Sequence, residues 1–249
     1  MRSQTFEVGG LRIHCLLGGN RSNPALVILH GWSMRASVYR SLGERLSDKH
    51  FVLIPDLPGH GRSGVMRRPD FWWMAAPLDE LLEELGVTKV ILVAHSMGGG
   101  VAIKWSKFRS KRVVKMILVD STGEPVKRGL VSWALAANRK TLRSLSLTHL
   151  PGVGRIVASF TLNWLRHPLW MWRTFRLTTE VDLVGELHDV RVPTFLVWAE
   201  HDEYFPSCLR MSAALDVIPT PIAKAGHDWI ILEPAEAAEV INMLLEIRI

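Results

Sequence analysis

Cysteine is scarce in this chain of 249 residues. The only two, Cys15 and Cys208, stand far apart and in no metal-ligand spacing, which excludes a cysteine-built metal site. They read as small buried hydrophobes ahead of a fold-made disulfide or a redox role. The opening residues, from Met1 to Glu7, lack the apolar core of a secretory signal. No uncharged apolar run approaches the length needed to cross a bilayer. The expectation is a soluble, cytoplasmic protein. Internal repeats and low-complexity tracts are also missing. A hydrophobic content of 48% with 22% charged residues excludes disorder, and the length fits one domain with room for a large insertion.

A net excess of positive charge is missing outside one stretch. The net charge is +6, yet residues 121–180 hold nine basic side chains (Lys127, Arg128, Arg139, Lys140, Arg143, Arg155, Arg166, Arg173, Arg176) against Glu124 and Glu180. That stretch therefore carries +7 and the rest of the chain −1. A basic surface spread over the whole molecule is excluded, and no nucleic-acid motif accompanies the basic segment, so no nucleic-acid partner is expected. Four of the ten tryptophans, Trp133, Trp164, Trp170 and Trp172, lie in the same stretch.

The opening reads as a hairpin, with Thr5–Val8 and Leu11–Leu17 flanking Gly9-Gly10, a dipeptide suited to a tight turn. Short runs rich in Val, Ile and Leu follow at Ala25–Leu29, Phe51–Ile54, Val90–Ala94, Val113–Val119 and Thr194–Ala199, and a last strand is expected at Thr220–Lys224. Runs apolar on both faces are what parallel strands covered by helices require. Helical spacing separates them at Val38–Leu46, Leu78–Leu85, Ser96–Phe108, Leu209–Leu215 and Ala235–Leu245. The alternation predicts a doubly wound, mostly parallel α/β sheet. It fails between about 122 and 180, where Leu130, Trp133, Ala134 and Ala137, then Val153, Ile156, Val157, Phe160 and Trp164, follow helical spacing. The expected organisation is a core of residues 1–121 and 181–249 with a helical insertion at 122–180.

Ser96, in Ala94-His95-Ser96-Met97-Gly98, falls between a strand and a helix. A serine on such a sharp turn exposes its hydroxyl above a helix N-terminus, and the turn needs very small residues two positions to either side. The competing reading is an ordinary N-cap serine before a glycine-rich helix. His30-Gly31-Trp32 follows another strand, where open α/β sheets place their ligands. The backbone N–H groups of Trp32 and Met97 are candidates to face a developing oxyanion; a plain glycine turn is the alternative. The loop from Asp56 to Ser63, which contains His60, reads as structural support for the site. Asp202 stands directly after the strand ending at Ala199, and His227 after the last expected strand, so the carboxylate is placed to orient the imidazole. Glu200 and Glu203 read as surface charge, and Asp120, at another strand end, is the second candidate for the acid.

Over nearly its full length the chain resembles the α/β-hydrolase family. The motifs that carry the resemblance are His30-Gly31-Trp32, the Asp56–Ser63 loop, Ala94–Gly99, Asp202 in its post-strand loop and Gly226-His227. The order Ser, Asp, His is the one this family uses. The resemblance implies that Ser96 is the nucleophile, His227 the general base and acid, and Asp202 the residue that fixes its tautomer. It also implies an oxyanion hole from the Trp32 and Met97 amides, and a helical cap at 122–180 that roofs the pocket. Ala94, where glycine is usual, is the one departure, and activity is expected to survive it.

The function expected is hydrolysis of a small-molecule carboxylic ester with an apolar acyl group, as in esterases and lipases, with no cofactor or metal called for. Carbon–carbon bond hydrolysis of a ring-cleavage product and a ligand-sensing receptor are the alternatives. Dehalogenation by a carboxylate nucleophile is disfavoured by Ser96 itself. The aromatic run Phe71-Trp72-Trp73-Met74 is a candidate for pocket lining or for core. The basic, Trp-rich insertion reads either as a solvated face over an ordinary pocket or as a peripheral lipid contact. Oligomeric state is left open.

Overall fold

The computed structural model describes residues 1–109, 111–126 and 148–247. The expected strands form as β1 (Arg2–Val8), β2 (Leu11–Gly18), β3 (Ala25–Leu29), β4 (Phe51–Pro55), β5 (Val90–His95), β6 (Val113–Val119), β7 (Thr194–Ala199) and β8 (Thr220–Ile222). They make one eight-stranded sheet in the order β1-β2-β4-β3-β5-β6-β7-β8. The β1–β2 hairpin and the β2–β4 pairing are antiparallel, and every pairing from β4 to β8 is parallel.

Strand alternation explains the two-sided core. In β3, Ala25, Val27 and Leu29 point to one face and Leu26 and Ile28 to the other. In β6, Met116 and Leu118 oppose Ile117 and Val119 in the same way. Each Val, Leu, Ile or Met among them, fully buried, contributes roughly 1.5–3 kcal/mol, so both faces must be covered. On one face lie α2 (Phe71–Glu84), α3 (Met97–Phe108), the short α6 (Val184–Leu187) and α7 (Leu209–Leu215). On the other lie α1 (Arg40–Leu46), entered through a 3₁₀ turn at Ala36–Tyr39, with α8 (Trp229–Leu232) and α9 (Pro234–Glu246). Between β6 and β7 come α4 (Leu150–Arg166) and α5 (Pro168–Glu180). The helical spacing at Leu130–Ala137, with Trp133 and the basic residues from Lys127 to Arg143, lies outside the described residues.

Some expected boundaries move. Helix α2 begins at Phe71, seven residues before the expected Leu78, because the Asp70 carboxylate caps it by accepting from Trp72 N (2.8 Å) and Trp73 N (3.2 Å). Pro77 then sits inside the helix. The carbonyl its missing N–H leaves free belongs to Trp73, which is exposed and open to water. The aromatic run divides: Phe71 and Met74 are buried, with Phe71 filling the space beside Gly100 of α3, Trp72 packs on Phe108, and Trp73 is exposed. Strand β8 stops at Ile222, two residues short of Lys224, whose backbone is left-handed at φ 59°. Both cysteines are buried and free. Among the described residues no helix is long and apolar enough to cross a membrane.

Candidate active site

Strand β5 runs straight into α3 with Ser96 at the junction, at φ 54° and ψ −122°. A non-glycine residue held there is strained, and such strain persists only where neighbours enforce it. They do so here through the backbone: Ser96 N donates to Val119 O (3.0 Å), and Ser96 O accepts from Gly99 N (2.9 Å) and Thr122 N (3.1 Å). Behind the turn Gly98 lies against the Leu29 carbonyl and Gly99 against the Ser121 hydroxyl, so neither position has room for a side chain. The Ser96 hydroxyl makes no capping bond to α3, and its backbone is not that of an N-cap. The ordinary-cap reading therefore falls. Ala94 is fully buried in β5, paired with Leu29 and Leu118, where the strand accommodates its methyl without change of register.

His227 and Asp202 are brought together from the loops after β8 and β7. His227 Nδ1 lies 2.9 Å from Asp202 Oδ2, and both side chains are buried. The other carboxylate oxygen of Asp202 accepts from Tyr204 N (2.7 Å) and Phe205 N (2.8 Å), which locks the carboxylate in place. Tyr204, Phe205 and His95 pack their rings around the imidazole. Burial alone disfavours the imidazolium, but the nearby Asp202 charge and its hydrogen bond outweigh it and hold the His227 pKa above its ordinary value. Asp120, the second candidate, has both oxygens committed elsewhere: Oδ1 accepts from Ala199 N (2.7 Å) and Oδ2 from Trp229 Nε1 (2.9 Å). Burial, together with the Asp202 charge, pushes the Asp120 carboxyl up. Glu203 corrects an expectation: it is buried, and it accepts from His227 N at 3.2 Å, so it braces the loop that carries the imidazole. Glu200 accepts from Lys224 N in an exposed position.

The Gly31-Trp32 loop closes over the serine. Position 31 is tight, since an added Cβ would stand 3.2 Å from Ser96 Cβ and 3.3 Å from His95 Nδ1 and would push one of them aside. Among the described residues the backbone N–H groups of Trp32 and Met97 have no acceptor, which for Met97, the first residue of α3, is the ordinary state of a helix start. The Trp32 indole is tied to α5 through bonds to Met171 O (3.0 Å) and Thr174 Oγ1 (3.2 Å). Its ring meets Phe160, Trp164 and Phe175. The Asp56–Ser63 loop acts as the expected support. Asp56 accepts from Ala36 N (2.6 Å) and Arg62 N (2.9 Å) and pairs with His14 (2.7 Å), while His60 is buried edge-on to His30.

Three residues join these loops without having been singled out from the sequence. Tyr39 accepts from Gly31 N (3.1 Å), and its hydroxyl bonds His95 Nδ1 (2.6 Å). His95 Nε2 lies 3.0 Å from the His227 carbonyl. A carbonyl only accepts, so Nε2 carries the proton, and in the neutral ring Nδ1 accepts from Tyr39. Gly31, the serine turn and the His227 loop thus share one hydrogen-bonded chain. Asn163 of α4 donates to Ser33 O (2.9 Å) and Met34 O (3.2 Å) and accepts from Gly61 N (2.9 Å), bridging two loops. One ligand-capable atom each of His95, Asp120 and His227 falls within 4.8 Å of the others. Both His95 nitrogens and both Asp120 oxygens are already hydrogen-bonded, so the cluster reads as a bonded network and not as a metal cradle.

The comparisons with known proteins agree with this architecture. Residues 24–182 match the family model for the alpha/beta hydrolase fold. The acetyltransferase component of an acetoin cleaving system from Pseudomonas putida is 28% identical, over 96% of this chain and 67% of its own length. A pimeloyl-[acyl-carrier protein] methyl ester esterase from Nitrosomonas europaea is 27% identical over 78% of this chain and 83% of its own. The chain spans only 42% of an uncharacterized Mycobacterium bovis relative that is 32% identical. Among solved structures, a membrane phospholipase A superposes with a TM-score of 0.80 at 21% identity, covering 98% of this chain and 86% of that one. A bromoperoxidase from Bacillus anthracis gives 0.81 at 15% identity, covering 99% and 100%. Matched along well over half its sequence, and carrying the eight-stranded sheet and turn geometry described above, the chain belongs to the alpha/beta hydrolase fold family.

Proposed function

We propose that this protein is a serine hydrolase of carboxylic esters that carry an apolar acyl group. The observation that supports this most is that one chain holds both a strained, uncapped Ser96 and a buried His227–Asp202 hydrogen bond, on loops joined through His95. In this reading Ser96 Oγ attacks the ester carbonyl carbon while His227 Nε2 takes its proton. The carbonyl oxygen becomes an oxyanion between the Trp32 and Met97 N–H groups, each donor worth about 2.7–4 kcal/mol in such a site. Collapse of the tetrahedral intermediate expels the alcohol, which takes the proton from His227, and leaves an acyl-serine. Water, deprotonated by His227, then releases the acid and restores Ser96. Asp202 holds the imidazole with its proton on Nδ1 throughout.

The apolar acyl preference rests on the rings gathered beside the oxyanion loop, Trp32 with Phe160, Trp164 and Phe175. The esterase named among the relatives supports the reaction class. A panel of aryl esters of increasing acyl length tests both parts. The expected result is turnover that rises with chain length before it falls, and that is lost in Ser96→Ala. Turnover equal in Ser96→Ala and the parent chain would remove the proposal.

A further inference from the structure

Helix α4 packs with its polarity reversed. The residues it buries, Gly152, Ile156, Ser159 and Asn163, recur at helical spacing along one face. Two of them are polar, and they bond the loop below: Ser159 Oγ donates to Ser33 O, and Asn163 holds Ser33, Met34 and Gly61. The residues α4 exposes include Leu150, Val157, Phe160 and Leu165, the last 76% accessible. An ordinary surface helix does the opposite. Helix α5 is mixed: it buries Trp170 and Met171 together with Thr174, Thr178 and Thr179, yet leaves Leu169 and Trp172 exposed. Six of the fourteen large apolar side chains exposed among the described residues fall between Leu150 and Trp172. Isolated exposed leucines need no explanation, but such a concentration marks an interaction surface.

Charge says what kind of surface it meets. Residues 150–180 carry Arg155, Arg166, Arg173 and Arg176 against Glu180 alone, with no lysine or aspartate, a net +3. Arg176 is paired with Glu180 and Arg166 donates to Gly61 O (2.9 Å) through one guanidinium nitrogen, whereas Arg173 is exposed beside Trp172. Leucine and tryptophan flanked by arginine is the composition of a helix that lies in a lipid interface. Each basic residue brought to an anionic membrane favours partition by about fivefold, so the two exposed arginines without a carboxylate partner among the described residues, Arg166 and Arg173, give on the order of tenfold or more.

We propose that the outward face of α4 and α5 docks on an anionic lipid surface. The same two helices hold Trp32 beside Ser96, so docking brings the candidate site close to the membrane and points to lipid-borne esters as substrates. The docking itself stands apart from catalysis; only the substrate class rests on the esterase reading.

Binding is therefore measured on the full chain carrying Ser96→Ala, by sedimentation with neutral phosphatidylcholine vesicles and with vesicles containing phosphatidylglycerol. The expected partition at low salt is at least tenfold stronger on the anionic vesicles, and the difference collapses toward 1 M salt, where the screening length falls to about 3 Å. Leu165→Ser combined with Leu169→Ser should cut that partition at least fivefold, while the same pair in the active chain leaves hydrolysis of a short, soluble aryl ester unchanged. Arg173→Gln should weaken anionic partition alone. Equal, negligible pelleting on both vesicles overturns the proposal, as does undiminished binding by the double-serine variant. A dimer of the parent chain that this variant converts to monomer also overturns it, since a second copy would then own the face.

Discussion

Replacing Asp202 by asparagine changes one atom and reverses the direction of a proton. In the native arrangement Asp202 Oδ1 accepts from Tyr204 N and Phe205 N, and Oδ2 faces His227 Nδ1 at 2.9 Å. An amide has only one oxygen. Two backbone donors hold that oxygen at the Oδ1 position, which turns the NH₂ toward Nδ1 and forces Nδ1 to accept. The imidazole proton then moves to Nε2, the nitrogen that must take the proton of Ser96. The cost expected for a misplaced tautomer is about 10⁴ in kcat, or ~5.5 kcal/mol of barrier. Folding should survive, because the two backbone bonds remain. Asp120→Asn is the contrasting variant. Both its oxygens accept from buried donors, Ala199 N and Trp229 Nε1, so the amide must present NH₂ to one of them. That should lower stability by about 1–3 kcal/mol while kcat stays within tenfold. Steady-state kinetics with a soluble ester, alongside thermal melts, separate the two. Asp202→Asn retaining kcat within tenfold, or Asp120→Asn proving the more damaging to kcat with its fold intact, would refute the reasoning.

Other expectations follow from the same geometry. Because the Asp202 charge holds the His227 pKa above 6.5 and the base must be neutral to act, kcat/KM should rise with pH through a midpoint above 6.5. A pH profile checks this, and a plateau already reached by pH 6 contradicts it. The same raised pKa means that protonated His227 adds stability below its ordinary value of 6.5, for as long as its partner carboxylate is ionised, and that this is lost as pH rises through the folded value. Ala94→Gly should leave kcat within about threefold and cost about 1 kcal/mol of stability, since it deletes one fully buried methyl; a large gain in kcat would show that Ala94 strains the serine turn. Tyr39→Phe removes the hydroxyl shared by Gly31 N and His95 Nδ1. It should lower kcat about tenfold at unchanged KM, because it loosens the Gly31-Trp32 loop, the proposed oxyanion donor, relative to Ser96; a fall in melting temperature with kcat unchanged would reduce Tyr39 to a purely structural role.

The strands were legible because buried parallel strands must be apolar on both faces, as Leu26 and Ile28 opposite Val27 and Leu29 illustrate. The candidate site was legible because its loops sit at strand ends in a fixed order. What escaped depended on partners remote in sequence. Asn163 meets Ser33 across 130 positions, and His95 meets the His227 carbonyl across 132. Tyr39 reads locally as one more core aromatic of a short helix. Glu203 reads as loop charge until the chain folds Gly226 and His227 against it. One signal was available: Ser159 and Asn163 stand four apart, on a different face of their helix from Val153, Val157, Phe160 and Trp164. The start of α2 was hidden for another reason, since Pro77 marks a break in sequence although Asp70 already caps the helix.

The central claim is that Ser96 is a nucleophile activated by His227, and covalent labelling tests it most directly. Intact-mass and peptide analysis after exposure to a fluorophosphonate should show a single adduct, on Ser96, because such reagents trap a base-activated hydroxyl beside an oxyanion hole. Ser96→Ala should take up none, and His227→Ala should react far more slowly. An adduct that persists on the Ser96→Ala protein at the parent rate would contradict the account.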